Sequence, residues 1–355
     1  MMDIPFIELI QISLGKRDSF SVPKKDLDWS GLFETAKKQA IAGVLFTGVE
    51  NKGKEYGIPR DILFQWFGVV NRLNGANEVL NERAKDVAKL LEKSDFRCCV
   101  LKGQGTALMY PHPEHRQCGD IDIWVDGKRD EILKFIRGIA PIGHIDVKHT
   151  DWHVFTDAEV EVHFIPTWFY NPFTNKKLKQ WIGLQKKEQF QNMSVLGFNT
   201  PTIPFNLVYS LIHIYRHLFD NGIGLRQLLD YYYILLHSSD SERTEAMNVL
   251  RSFKMERFAA AVMFVQQKVF NIDQQYLLCQ PSSIDGAFLF DEIMQAGNFG
   301  QYDNRLAKVN KGRFTRGLFN LKRNIKFIRS YHQEVLWEPF WKIWHYCWRK
   351  YKGYL

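Results

Sequence analysis

Val100-Leu101-Lys102-Gly103-Gln104-Gly105-Thr106, followed shortly by Cys118-Gly119-Asp120-Ile121-Asp122-Ile123-Trp124-Val125, sets two carboxylates one residue apart on a predicted strand behind a glycine turn. Side chains on a strand alternate faces, so Asp120 and Asp122 point one way while Ile121, Ile123 and Val125 point into the core. Like charges on neighbouring same-face positions repel, and Asp is a poor strand former. The arrangement therefore asks for a compensating cation. Magnesium suits it, because hard divalent ions take oxygen ligands and magnesium usually combines one or two protein carboxylates with phosphate oxygens and water.

The rest of the chain places this stretch between helical flanks. Apolar periodicity predicts helices over Phe6 to Leu14, Leu27 to Thr47 and Pro59 to Lys93, with Pro59 suited to a first helical turn. The period then changes. Phe96 to Leu101 reads as a strand, Gln104 to Met109 as a short helix, Asp120 to Val125 as the acidic strand and Arg129 to about Ile139 as a helix. His144 to Lys148, Trp152 to Thr156 and Glu159 to Ile165 read as short strands, the last two forming an antiparallel hairpin joined at Asp157-Ala158. Helical periodicity returns in Leu207 to Phe219, Leu225 to His237, Ser241 to Lys254 and Arg257 to Phe270. The expected class is α+β: a helical region over 1–92, a small mixed sheet with helices over 93–205, and a helical region over 206–355.

Several pieces together resemble a known group. Leu101-Lys102-Gly103, Tyr110-Pro111, Arg116, Gly119-Asp120-Ile121-Asp122, Val160-Glu161-Val162-His163 and, more loosely, Gly224 to Asp230 are similar to an uncharacterised bacterial nucleotidyltransferase family, number 5. That family falls within the polymerase-beta-like superfamily. The pieces span roughly 95 to 235, and their order carries the reading, since Asp-Ile-Asp-Ile alone also suits a solvated edge strand. The resemblance implies a magnesium-dependent enzyme, with manganese as the other ion, that moves a nucleoside monophosphate from a nucleoside triphosphate such as ATP to an acceptor hydroxyl. It implies that Asp120, Asp122 and Glu161 are the catalytic, metal-binding carboxylates. Gly103, Gln104 and Gly105 would present backbone N–H groups to phosphate, with Thr106 as a nearby hydroxyl and Lys102 and Arg116 as cations. The superfamily's turn usually reads Gly-Gly or Gly-Ser, whereas Gln104 stands second here. His163, His217, Arg226 and Asp230 are second-tier candidates around the cleft. Arg226 and Asp230, four apart on one helix face, also fit an ordinary ion pair. His213 and His217 share that spacing, and a structural role is favoured over zinc because no third ligand is evident.

Composition sets the remaining bounds. At 355 residues, 45% apolar and 24% charged, the chain is ordinary for a globular protein. It shows no apolar run of membrane-span length and no secretory start, and its five cysteines lack Cys-x-x-Cys spacing, so the cytoplasm is the expected compartment. The net charge of +8 is concentrated at one end: residues 305–355 hold thirteen Lys or Arg against two acids. Trp337, Trp341, Trp344 and Trp348 fall there at helical spacing. That stripe is read first as packing on the body, and secondly as an interfacial helix on an anionic membrane. The basic segment also suits nucleic acid or an acidic partner, so the competing functional reading is an inactive nucleotidyltransferase-fold binding module or an antitoxin-like protein. The acceptor is left open between a small molecule, a protein and a nucleic-acid end.

Overall fold

Helix α4 (Arg60–Glu92) runs 33 residues and buries Ile62, Trp66, Val70, Leu73, Leu80, Ala84, Val87 and Leu91 along one side. At 1.5 Å per residue it is about 50 Å long, and it serves two cores: Trp66 and Val70 enter a large helical core, while Leu80 to Leu91 cover a sheet. This computed structural model describes residues 3–302 and 322–354. Arg305, Lys308, Lys311, Arg313 and Arg316 of the basic segment lie outside the described residues.

Before α4 come α1 (Asp3–Ser13), α2 (Trp29–Lys38) and α3 (Ala42–Lys52). The predicted helix from Leu27 to Thr47 is in fact two, broken at Gln39-Ala40-Ile41, where Ala40 has φ +55°. The break has a structural use. Buried Gln39 accepts a hydrogen bond from Leu225 N at 2.9 Å and donates to Ile293 O at 3.2 Å, tying the N-terminal helices to the C-terminal ones.

The central region holds β1 (Cys98–Val100), α5 (Gly103–Ala107), β2 (Ile121–Val125), α6 (Arg129–Arg137), β3 (Ile142–Ile145), β4 (His149–Trp152) and β5 (Val160–His163). The strand order is β1-β2-β5-β4-β3, with β2 and β5 parallel and the other pairs antiparallel. Two predicted strands are shifted: β3 and β4 begin earlier than His144 and Trp152, and β4 joins β5 through residues 153–159 instead of a two-residue turn. Trp152 fixes the end of β4, because its side chain is buried and its indole N–H donates to Ile136 O at 3.1 Å. All five β2 residues are buried, so β2 is a central strand and not a solvated edge.

Helix α7 (Pro172–Gln189) has no counterpart in the sequence expectation, although Asn171 caps it from the side chain and Pro172 occupies its first turn. Then follow α8 (Ile203–Asp220), α9 (Leu225–Leu236), α10 (Asp240–Ser252), α11 (Glu256–Phe270), α12 (Ser283–Ala296), α13 (Ile328–Val335) and α14 (Glu338–Lys352). The helical core draws on Phe6, Leu45 and Trp66 from one flank and Tyr209, Tyr231, Phe258 and Val335 from the other. The fold is therefore α+β, a small mixed sheet held among helices from both ends of the chain. Trp341 of α14 stacks on Trp168, Trp337 just before that helix meets Phe173 edge-on, and Arg129 lies over Trp348. Trp344 is half-exposed. Among the described residues no helix is long and apolar enough to cross a membrane.

Close approach of α3 to the segment before Arg116 constrains one glycine. A Cβ on Gly43 would lie 2.0 Å from His115 O and 2.8 Å from Leu73 Cδ1. Gly43→Ala is expected to cost about 1–3 kcal/mol, the usual range for overpacking. Urea unfolding checks this, and an unchanged midpoint would contradict the contact.

Candidate active site

Parallel pairing of β2 with β5 puts Asp122 opposite Glu161 and Trp124 opposite His163. Neighbouring strands lie about 4.8 Å apart and opposed residues share a face, so two carboxylates are held side by side. Asp120 stands one residue before β2. Ligand oxygens of Asp120, Asp122 and Glu161 come within 4.8 Å of one another.

The turn after β1 brings the first cation. Leu101 N donates to Asp122 O at 2.8 Å, which fixes the turn against β2. Lys102 then adopts φ +35° and Gly103 φ +49°, unusual values that fold the chain back. Lys102 Nζ lies 2.8 Å from Asp122 Oδ2. On the other side His163 Nε2 lies 2.8 Å from Asp122 Oδ1 and 3.3 Å from Glu161 Oε2, and His149 Nδ1 lies 3.1 Å from the same Glu161 oxygen.

These contacts divide the carboxylates. Burial would raise Asp122, but Lys102 and His163 outweigh it and hold the carboxyl well below its ordinary value. Burial likewise works against the Glu161 charge, yet the His163 hydrogen bond and His149 bring it down to about 2. Asp120 moves the opposite way. The Asp122 charge, then burial, raise it to about 6 against the pull of Lys102.

Other candidates prove to be partnered elsewhere. Gln104 Nε2 donates to Asn81 Oδ1 at 2.7 Å, so its side chain faces α4. Gly105 N donates to Lys102 O at 3.0 Å, and a Cβ there would lie 2.9 Å from Thr200 Cγ2; close packing accounts for this glycine. Thr106 is buried and borders the cleft. Arg116 grips Asp230 with two hydrogen bonds, Nε to Oδ1 at 2.7 Å and Nη2 to Oδ2 at 2.8 Å, while Tyr110 OH donates to Oδ1 at 2.6 Å. The sequence expectation paired Asp230 with Arg226, and that pairing is corrected: a distant loop supplies the better fork geometry. Arg226 instead donates to Gln117 O at 3.3 Å and lies 5.1 Å over the Phe299 ring.

A cavity of about 150 Å³ reaches Asp120, Asp122 and Glu161 and is bordered by Lys102, Arg116, Lys148 and Arg226. A wider one of about 830 Å³ meets it at Gly119, Asp120, Arg226 and Phe299. Lys148 and Arg226 have no carboxylate at ion-pair distance among the described residues. Sequence reasoning missed Lys148, His149 and Phe299. Lys148 ends the β3–β4 turn and His149 opens β4, a region where the expected strands are shifted. Phe299, at φ +51° between two glycines, follows a turn that carries no sign of where it docks.

His213 and His217 stack edge to face at 4.3 Å, and no third His, Cys, Asp or Glu donor joins them among the described residues. Burial keeps both below the usual histidine range, His217 at about 3.

A small mixed sheet with acidic residues on adjacent strands, enclosed by helices, places the protein in the α+β class. The family model described as "Uncharacterised nucleotidyltransferase" matches residues 25–271, and the chain belongs to that family. No curated protein matches it. The matched part includes every carboxylate above and stops before Phe299.

Two outcomes follow from the buried partners. Asp230→Ala would strand the Arg116 guanidinium and is expected to cost about 3–5 kcal/mol in urea unfolding, as for other broken buried pairs. His217 is neutral in the fold and takes a proton near 6.5 when unfolded. Its contribution is therefore intact above pH 6.5 and lost as pH falls toward about 3, at about 1.4 kcal/mol per unit. His217→Gln should flatten that slope in a pH series of unfolding curves; an unchanged slope would contradict a neutral ring in the fold.

Proposed function

We propose that this protein is a divalent-metal-dependent nucleotidyltransferase that moves a nucleoside monophosphate from a nucleoside triphosphate to an acceptor hydroxyl. The observation that carries the reading is the convergence of Asp120 and Asp122, at the start of β2, with Glu161 of the parallel β5, in a cleft that also holds Lys102, Lys148 and Arg226. Their donors are all oxygens, the set magnesium prefers. The rise of Asp120 to about 6 supports a cation there as well, because it reflects negative charge that Lys102 alone does not offset.

Asp120, Asp122 and Glu161 would hold magnesium, which when bound withdraws charge from phosphate oxygens and eases ionisation of a coordinated hydroxyl. The chain supplies the positioning. Arg226 and Lys148, without carboxylate partners, are better placed to meet triphosphate oxygens than Arg116, whose guanidinium is committed to Asp230. Lys102, 2.8 Å from Asp122, would be the nearest ammonium to a phosphate bound beside the carboxylates. Gly103 and Gln104 provide N–H groups at the turn. The wider cavity beyond Asp120 gives room for the acceptor. Its hydroxyl oxygen bonds to the α-phosphorus, the α–β bridging P–O bond breaks, pyrophosphate departs with the electron pair, and the hydroxyl proton passes to water.

The test is transfer of label from α-labelled ATP, CTP, GTP or UTP with magnesium, alone and with cell lysate as the acceptor source. Label transfer is expected in the wild type and should fall at least about 100-fold in Asp122→Asn, a loss of roughly 3 kcal/mol or more. Absence of transfer, with polyanion binding intact in both proteins, would sink the enzyme reading in favour of a binding module acting through its basic C-terminal region.

A further inference from the structure

We propose that His149, Glu161 and His163 form a binding site for a borderline divalent transition-metal ion, with zinc as the representative. The three ligand atoms lie within 4.8 Å of one another. Antiparallel pairing of β4 with β5 sets His149 directly opposite His163 on the same face as Glu161. Both rings approach a single oxygen: His149 Nδ1 lies 3.1 Å and His163 Nε2 3.3 Å from Glu161 Oε2. Bonds of 2.0–2.1 Å to one tetrahedral ion require donors about 3.3 Å apart. The spacing present in the fold is thus that of a tetrahedral edge.

Hydrogen bonding leaves part of this cluster unexplained. His149 Nδ1 is buried and makes no hydrogen bond despite its 3.1 Å approach to Glu161, as does the buried Nδ1 of His163. A lone pair directed at a cation accounts for the first. Behind His149, the carboxylate of Asp146 lies 3.9 Å from Nε2 and accepts from His149 N at 2.8 Å. Asp122 Oδ1, 2.8 Å from His163 Nε2, offers a fourth donor.

Donor type separates this site from the oxygen-only trio. Two imidazoles and a carboxylate favour zinc and its neighbours over magnesium. Glu161, and Asp122 as the fourth donor, belong to both groups, so an ion between the histidines also fixes the two carboxylates that face Asp120. The two sites can be tested apart, because the histidine site needs neither nucleotide nor acceptor.

Metal-stripped full-length protein is dialysed against zinc, and cobalt is used as the spectroscopic probe. One zinc ion per chain is expected, and cobalt should give the intense visible bands of four-coordinate nitrogen ligation. His149→Gln should weaken zinc at least about tenfold while circular dichroism shows the fold retained. Asp120→Asn should lose label transfer and keep its zinc, which distinguishes failure of the nucleotidyltransferase reading from failure of this one. Absence of zinc binding in the wild type, weak six-coordinate cobalt absorption, or zinc affinity within twofold of wild type in His149→Gln would each overturn the site.

Discussion

Burial of Asp122 on a central strand, against Glu161 on its parallel neighbour, is the constraint around which this molecule is arranged. Two carboxylates in adjacent register inside a low-dielectric region are mutually repulsive and poorly solvated. They persist because Lys102 and His163 each meet an oxygen of Asp122, and His149 and His163 meet Glu161. The unusual backbone at Lys102 is best understood from this requirement. A residue with φ +35° is strained, and the strain is offset by bringing an ammonium group to a buried carboxylate.

Asp120 stands outside that compensation. It has the same residue type as Asp122, two positions away, yet lies far from it in proton affinity because its neighbour already claims the available cation. The two aspartates thus differ in how far their charge is offset within the protein. Arg116 and Asp230 show the opposite case, in which a bidentate pair with a tyrosine hydroxyl is complete within the protein.

The sequence was most informative where local pattern and global fold agree. Alternation around Asp120 and Asp122, the Val-Glu-Val-His run and the long amphipathic helix ending near residue 92 were all legible, as was the α+β class. Interactions distant in sequence were not. Nothing local says that Asp230 leaves Arg226 for Arg116, because both spacings are chemically sound and only the loop's path decides. The break at Ala40 was hidden in the same way, since the apolar pattern continues through it and its cause is Gln39 reaching α9 and α12. Strands β3 and β4 were shifted because Trp152, which terminates β4 by anchoring to α6, reads in isolation as a good strand start. That shift concealed His149 and Lys148.

Gln39 has an effect beyond its own two hydrogen bonds. By tying the α2–α3 junction to Leu225 and Ile293, it makes the first helices depend on partners made roughly 190 and 250 residues later, and Lys16 meeting Asp273 at 2.8 Å repeats the pattern. Such long sequence separations slow folding, because chain entropy is surrendered before distant contacts can repay it. During synthesis the apolar faces of the N-terminal helices stay without these partners until α9 and α12 have been made.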